Sequence, residues 1–229
     1  WAEQLVTHER EAMAVPPALT FTDAAALPEA FATAFDALVT QGGMTVGSRV
    51  LVHAVGSGVG TAALQLGRLF GATVIGTGRQ QAKLDRAQAL GLQHPVLVTD
   101  GAFAAQVKAL GGADLTLDLV GGAYTAESLE ALSPGGTLIL VGLVAGRSVE
   151  LPLGKVLSKR LTLVGTVMRA RPLEEKISVA RAMERRLAPH FASGALKAVV
   201  DEVLPMTSLV PALKRLAAND TFGKLVLTW

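Results

Sequence analysis

Arg49-Val50-Leu51-Val52-His53-Ala54-Val55-Gly56-Ser57-Gly58-Val59-Gly60-Thr61 is the stretch that decides the fold. Its first seven residues form a near-continuous apolar run, the mark of a strand buried on both faces. Three glycines in the next five residues turn the chain, and Ala62, Ala63, Leu66 and Phe70 follow at helical spacing across 59–70. A glycine-rich turn between a strand and a helix lets the backbone approach a pyrophosphate, whose charge meets the free N–H groups of the helix start. The motif departs from strict G-x-G-x-x-G, because Thr61 takes the last glycine position. A packing turn would explain the bend but not three glycines in five residues. The turn is therefore read as a dinucleotide seat.

Outward from this turn the pattern repeats. Strands are expected at 73–77, 96–98, 115–120, 137–141 and 161–167. Helices are expected at 80–90, 102–110 and 124–132, with Ser133-Pro134-Gly135-Gly136 as a turn. Six strands alternating with helices imply right-handed crossovers and an α/β fold, a Rossmann-type doubly wound parallel sheet covered on both faces. The flanks differ. The opening Trp1-Ala2-Glu3-Gln4-Leu5-Val6-Thr7-His8 reads as a strand, and an Ala-rich helix starts at Thr22-Asp23 after Pro16-Pro17. After Met168 come a long amphipathic helix (Leu173, Ile177, Ala180, Leu187, Phe191), a strand near 199–203, another helix and a last strand at 224–227. These flanks read as parts of a second lobe.

The 229 residues suffice for a full core, and 50% apolar against 17% charged residues excludes a disordered chain. The longest uninterrupted apolar or Gly stretch, 137–146, is far short of the ~18 residues of a spanning helix, so no membrane partner is expected. Net charge is only +2, which gives no nucleic-acid footprint. With no cysteine, disulfides, thiolate zinc sites and cysteine nucleophiles are excluded within this chain. No basic segment precedes an apolar core, so no signal peptide is expected, and the expected location is the cytoplasm. The chain opens on Trp1, and a preceding segment is expected.

The second strand points to the cofactor. NAD enzymes place an acid about 20 residues past the glycine-rich turn, on the ribose hydroxyls. Here the strand ends Thr77-Gly78-Arg79, Lys83 follows one helical turn on, and the nearest acid, Asp85, lies inside the next helix. Two cations at a helix N-terminus oppose its dipole unless an anion joins them. A 2′-phosphate fits, so NADPH is expected over NADH.

Other chemistry is sparse. No Ser-His-Asp set, paired carboxylates or H-E-x-x-H occurs, and no catalytic acid is assigned; the single tyrosine, Tyr124, sits at a helix start. His53, on a buried strand, is expected to be a satisfied core residue, and His8, His94 and His190 lack ligand spacing. Asp118, at a strand end, is expected to hold a loop by hydrogen bonds. The run Arg169, Arg171, Lys176, Arg181, Arg185 and Arg186, broken by Glu174, Glu175 and Glu184, reads as a solvated helix face rather than a nucleic-acid contact. The strand at 162–167 is a candidate sheet edge.

Four segments together carry a family resemblance: Ala2–Val6, Ala24–Phe35, His53–Ala63 and Asp118–Gly122. They resemble the zinc-independent quinone oxidoreductases of the medium-chain dehydrogenase/reductase superfamily, in the branch of zeta-crystallin and the tumour-suppressor-induced enzyme. The resemblance runs from Trp1 to Trp229 and ends in Gly223-Lys224-Leu225-Val226-Leu227. It implies that remnants of a GroES-like catalytic lobe flank the nucleotide-binding domain, with residues 1–32 in that lobe, 33–168 binding NADP and 169–229 returning to the lobe. Thr33 would then lie near the nicotinamide, and Gly56, Ser57, Gly58 and Val59 under the pyrophosphate. Gly78, Arg79 and Lys83 would hold the 2′-phosphate. Val120, Gly121, Val141, Gly142, Leu143, Val144, Thr166, Val167 and Met168 would line the cofactor.

Where relatives often put Asn-Tyr or Asn-His beside the adenosine, this chain has Leu97-Val98, which removes a stacking ring. Zinc relatives would have a ligand near Leu27–Ala30, where only Glu29 is a carboxylate, so no metal is expected. The implied reaction is hydride transfer from NADPH to a quinone or an α,β-unsaturated carbonyl, in a homodimer paired through the sheet edge. An enoyl or alkenal reductase is the alternative within enzymes. A non-catalytic NADPH-binding or sensing protein is the alternative outside them.

Overall fold

A computed structural model describes residues 2–229. Its centre is a six-stranded parallel sheet built from β1 (Arg49–Val52), β2 (Thr73–Gly78), β3 (His94–Leu97), β4 (Ala113–Asp118), β5 (Leu132–Leu140) and β6 (Thr162–Gly165). The order is β3-β2-β1-β4-β5-β6, with every neighbouring pair parallel. This is the expected doubly wound sheet. The order of strand addition reverses between β1 and β4, and the crevice beyond their carboxyl ends is where such sheets bind ligands.

Alternate residues of each central strand feed opposite layers, as the two-residue period of a strand dictates. Val50 and Val52 pack under α2 (Pro28–Phe35), α3 (Gly58–Leu69), α4 (Gln81–Ala89) and α8 (Leu173–Ala192). Leu51 and Ile75 pack on the other side with Phe103, Val107 and Leu129 from α5 (Ala104–Ala109) and α6 (Ala123–Ala131) and their approach. Both layers are dry, which is why the strands read as unbroken apolar runs. A further helix, α7 (Leu153–Lys159), lies before the edge strand β6 and has no counterpart in the sequence reading.

The flanks meet on the far side of the sheet's carboxyl ends. The first helix, α1 (Phe21–Ala26), starts where the Thr20 hydroxyl accepts the Asp23 N–H, one residue earlier than expected. The sequence expectation of an opening strand fails: residues 2–8 are irregular, and Leu5 and Val6 are 85% and 98% exposed. Among the described residues no strand lies beside this segment, and a strand cannot form without a partner for its backbone groups. Trp1 of that expected strand lies outside the described residues. At the other end, β7 (Val200–Pro205) and β8 (Lys224–Thr228) form a separate parallel pair, connected through α9 (Leu209–Ala217).

Three smaller corrections concern strand limits. The first strand stops at Val52, not Val55, because Ala54 takes a left-handed φ of 48° to start the turn. The fourth stops at Asp118, not Val120, where the Asp118 carboxylate accepts the Val120 and Gly121 N–H groups and folds the chain into a loop. Ser133–Gly136 does turn, with φ +80° at Gly135, but as an irregularity inside β5, whose pairing with β4 resumes at Thr137.

The basic run is only in part a solvated face: Arg169, Arg185 and Arg186 are exposed, but three of its cations have partners elsewhere in the fold. Arg171 bonds the buried Asp36 carboxylate at 2.5 Å, Arg181 reaches the Ala12 carbonyl and Glu184, and Arg186 stacks over Phe35 and Phe70. Arg181 and Arg186 therefore fasten α8, and Arg171 the segment just before it, to the rest of the molecule.

Candidate cofactor site at the first crossover

The turn after β1 is shaped for close approach. Ser57 caps α3, its hydroxyl accepting the Gly60 N–H at 3.0 Å, and its carbonyl accepts the Thr61 N–H at 2.8 Å. The Gly58 and Val59 amides have no hydrogen-bond partner among the described residues. They sit at the positive end of a 12-residue helix, where an anion is favoured. Gly60 fits the turn only as glycine, since a Cβ there would stand 2.4 Å from the Ala54 carbonyl oxygen. Thr61, in the last glycine position, is buried and donates its hydroxyl back to the Gly58 carbonyl at 3.0 Å.

A cavity of about 840 Å³ opens over this turn. Gly56, Ser57, Gly58 and Val59 line its floor, and Gly78, Arg79 and Lys83 line one end. Val120 and Val144 line the opposite wall. These nine of the sequence-derived site residues thus come together around one space.

The others lie elsewhere. Gly121, Val141 and Gly142 pack below the wall, where the Val141 and Gly142 amides donate to the Asp118 carbonyl. Leu143 lines a second cavity of about 380 Å³, beside Leu163 of the edge strand. Thr33 is half-buried on α2, and Thr166, Val167 and Met168 follow β6; none of the four lines either cavity. Thr166 accepts bonds from Gln41 (2.7 Å) and Arg171 (2.6 Å).

The two cations differ in state. Arg79 makes no ion pair or hydrogen bond through its side chain among the described residues. Lys83 donates to the Asn219 carbonyl at 2.6 Å and to the Asn219 side chain at 3.0 Å. Burial lowers the Lys83 pKa below the usual lysine range; Asp220 and Asp201 oppose this, and Arg79 and Arg86 add to it. Asn219 belongs to the C-terminal flank, which sequence reasoning left out of the site. So do Thr221, Gly223 and Lys224. One local signal was available for the last pair: a glycine next to a lysine at the start of a strand, with Gly223 at φ +86°.

Behind the site lies a neutral relay. Ser128 Oγ donates to the Tyr124 carbonyl at 2.7 Å, so His53 Nε2, 2.8 Å away, must donate to Ser128 Oγ. His53 Nδ1 then accepts from the Thr77 hydroxyl at 2.9 Å. Burial holds the His53 pKa at about 4 against the pull of Asp118, and the imidazole is neutral. It is the satisfied core residue expected of it. Tyr124 lines the cavity with its ring against His53 and Phe103, and burial raises its pKa. Val98 is buried in the core.

Known proteins share this fold. The family described as zinc-binding dehydrogenase matches residues 58–185. The chain is 35% identical over 216 residues to the spectinabilin polyketide synthase system protein NorB of Streptomyces orinoci, covering 93% of this chain and 10% of that one. It is 27% identical over 231 residues to the quinone oxidoreductase-like protein 2 homolog of Nematostella vectensis, covering 99% of this chain and 63% of that one. Among solved structures, the quinone oxidoreductase of Thermus thermophilus, described with its NADPH complex, superposes with a TM-score of 0.83 at 30% identity. That match covers 94% of this chain and 69% of that one. The JamJ enoyl reductase superposes at 0.81 with 25% identity, over 94% of this chain and 65% of that one. The chain thus spans less than two thirds of the sequence relatives named here. The match starts at Gly58, the first residue of α3, and runs through β2 to β6, so the chain belongs to the zinc-binding dehydrogenase family, in the medium-chain dehydrogenase/reductase superfamily.

Proposed function

We propose that this chain is the NADPH-binding part, with the adjoining return segments of the catalytic lobe, of an oxidoreductase that delivers hydride to quinones or related α,β-unsaturated carbonyls without zinc. The observation that carries the reading is the joint lining of one cavity by the unpaired Gly58 and Val59 amides and by Arg79 and Lys83. The amides would hold the pyrophosphate, and the two cations the 2′-phosphate. When bound, the nicotinamide cofactor supplies the hydride. The chain's own task is to fix the adenosine end, keep water from the apolar wall at Val120 and Val144, and leave the acceptor a defined approach. Thr33, Gly121, Val141, Gly142, Leu143, Thr166, Val167 and Met168 belong to the nicotinamide side of this proposal.

In the proposed division, residues 1–32 and 169–229 belong to the GroES-like lobe and 33–168 to the NADP domain. The residues present do not fit a zinc ion: among the described residues no three His, Asp or Glu side chains converge, and Glu29 is ion-paired with Lys224. No step is routed through a metal. A homodimer would pair β6, one of the two edges of the sheet, beside the exposed Leu153 and Leu157. No helix among the described residues is long and apolar enough to cross a membrane, and the proposed location is the cytoplasm.

The likeness to JamJ favours a second reading, an enoyl or alkenal reductase, which uses the same hydride on a C=C bond. A third reading is an NADPH-binding protein without turnover. Stopped-flow mixing of the full-length protein with NADPH and either 1,2-naphthoquinone or 2-hexenal separates the three. Faster oxidation with the quinone supports the first reading, faster oxidation with the enal the second, and binding without oxidation the third. Calorimetry adds the cofactor test: NADPH should bind more tightly than NADH, and Arg79→Glu with Lys83→Glu should abolish that preference.

A further inference from the structure

Two segments on the nicotinamide side of the proposed site, the end of α2 and the stretch after β6, are joined by a buried polar cluster with no role so far. Thr33 lies on α2, and one turn later Asp36 opens the π-helical turn Asp36–Gln41. In an α-helix residues five apart face different ways, whereas the wider π winding sets Gln41 beside Asp36. Such single π-turns recur at functional sites. Four hydrogen bonds close a ring. The Gln41 amide donates to Asp36 Oδ2 at 2.5 Å and to Thr166 Oγ1 at 2.7 Å, and Arg171 Nη2 donates to the same two oxygens at 2.5 and 2.6 Å. Arg171 Nε adds a bond to the Val167 carbonyl at 3.1 Å. The Asp36 and Arg171 side chains are only 3% and 15% exposed, so the ring is charge-assisted and largely out of water, which holds its members in one arrangement.

What the ring holds is the carboxyl edge of the sheet. Thr166 is the first residue past β6, and its N–H donates to the Leu140 carbonyl of β5 at 2.9 Å. All six strands are parallel, so this edge also carries the Gly58 turn after β1 and Arg79 after β2. A dinucleotide with its adenosine at Arg79 and its pyrophosphate at the turn runs on over the ends of β4, β5 and β6, about 14 Å of sheet at strand spacing. Thr166 turns its hydroxyl into the ring, and Val167, next in the chain, is 57% exposed at that edge. Hydride transfer tolerates little play there, because a displacement of about 1 Å can cost about a hundredfold in rate.

We propose that Asp36, Gln41 and Arg171 are positioning residues for hydride transfer. Acting through Thr166 and the Val167 carbonyl, they lock the stretch after β6 to the Thr33 end of α2 as one rigid wall of the nicotinamide site. The adenosine end, held at Arg79 and Lys83, is independent of them. This inference rests on the hydride-transfer reading above.

The test uses the full-length protein with NADPH and either 1,2-naphthoquinone or 2-hexenal, whichever the wild type reduces faster. Thr166→Val keeps the side-chain outline and removes the oxygen that Gln41 and Arg171 share. It should lower kcat about ten- to a hundredfold and raise the primary isotope effect with NADPH deuterated at C4 on the transferred side. NADPH affinity by calorimetry should stay unchanged. Without any acceptor, the fluorescence of bound NADPH should fall towards that of free NADPH. Thr166→Ser, which restores the oxygen, should recover most of the rate and the emission. A cluster that only stabilises the fold would lower the urea midpoint of Thr166→Val and leave kcat, isotope effect and emission as in wild type, and that result overturns the proposal. A loss of NADPH affinity as large as the loss of rate overturns it as well. Should Thr166→Val fail to fold, Gln41→Leu, which removes one donor from each oxygen, decides by the same readouts. Wild-type protein that oxidises NADPH with neither acceptor sinks the hydride-transfer reading and this inference with it; wild-type turnover with unaltered variants sinks only this inference.

Discussion

Asp36 and Arg171, 135 positions apart, meet at 2.5 Å in a site where the Asp36 side chain is almost wholly buried. Asp36 opens a π-helical turn, Asp36–Gln41, that continues α2, and its wider winding sets Gln41 beside Asp36, where the Gln41 amide also bonds the carboxylate at 2.5 Å. Gln41 and Arg171 converge again on the Thr166 hydroxyl. The helix that leads into β1, the segment after β6 and the approach to α8 are thereby fastened at one point. The hydrogen bond from Arg171 to Asp36 raises the Arg171 pKa. Removing either partner leaves a poorly hydrated charge, so Asp36→Ala and Arg171→Met should each lower unfolding free energy by about 3–5 kcal/mol. The double variant should lose clearly less than the sum of the two. Urea denaturation of the four-protein cycle measures this, and strict additivity would deny the coupling.

His53 predicts a pH dependence with a definite sign. Its folded pKa of about 4 lies below the unfolded value near 6.5, so between these limits the unfolded chain holds more protons. Stability from this group is complete above pH 6.5 and declines as pH falls towards 4, by on the order of 3 kcal/mol in all. The charged form would also lose the bond from the Thr77 hydroxyl, because a protonated Nδ1 cannot accept it. His53→Gln should flatten the stability curve between pH 4.5 and 6.5 relative to wild type, measured as urea midpoints across that range. An unchanged slope would show that His53 is not the titrating group.

The sheet was legible because its strands carry local information: Val50, Leu51 and Val52 are all fully buried, and such a run reads as a two-sided strand without knowledge of its neighbours. The floor of the site was legible for the same reason, since the turn from Gly56 to Gly60 lies within a single crossover. Its C-terminal wall was not. Lys224 meets Gly58 from far along the chain, on a strand of the separate β7–β8 pair, and no periodicity encodes that contact. The helix cations failed differently: Arg171, Arg181 and Arg186 look like their solvated neighbours in sequence, and only packing reveals Asp36, the Ala12 carbonyl and the Phe35 ring as their partners. The opening segment has strand-like residues, but propensity there meets no partner strand among the described residues.

Lys159 ends α7 with its ammonium 3.0, 2.9 and 2.7 Å from the carbonyls of Leu129, Glu130 and Leu132. Two of these close α6, whose last carbonyls lack partners within the helix, and the lysine also offsets the negative end of its dipole. Burial lowers the Lys159 pKa. Lys159→Met keeps the apolar stem and removes the donors, and should cost about 1–3 kcal/mol. Hydrogen exchange should localise the loss to α7 and the end of α6. Uniform exchange across the sheet would point to a global cause instead.

Two glycine substitutions should act in opposite directions. Gly60→Ala sets a methyl group 2.4 Å from the Ala54 carbonyl oxygen and 2.8 Å from Val55 Cα. The turn cannot yield, because Ala54 is already left-handed and the Val55 N–H is bonded to the Thr77 carbonyl at 3.0 Å. A loss of about 1–3 kcal/mol is expected, as for other overpacked sites. Dinucleotide binding should weaken as well, since the same shift moves the Gly58 and Val59 amides. Gly154, inside α7, has open space where its Cβ would be and no positive φ. Gly154→Ala therefore removes only the entropic penalty of glycine in a helix and should stabilise by roughly 0.5–1 kcal/mol. Thermal or urea unfolding of both variants checks the pair, and a tolerated Gly60→Ala would mean that the first crossover is not packed against its strand as tightly as these distances require.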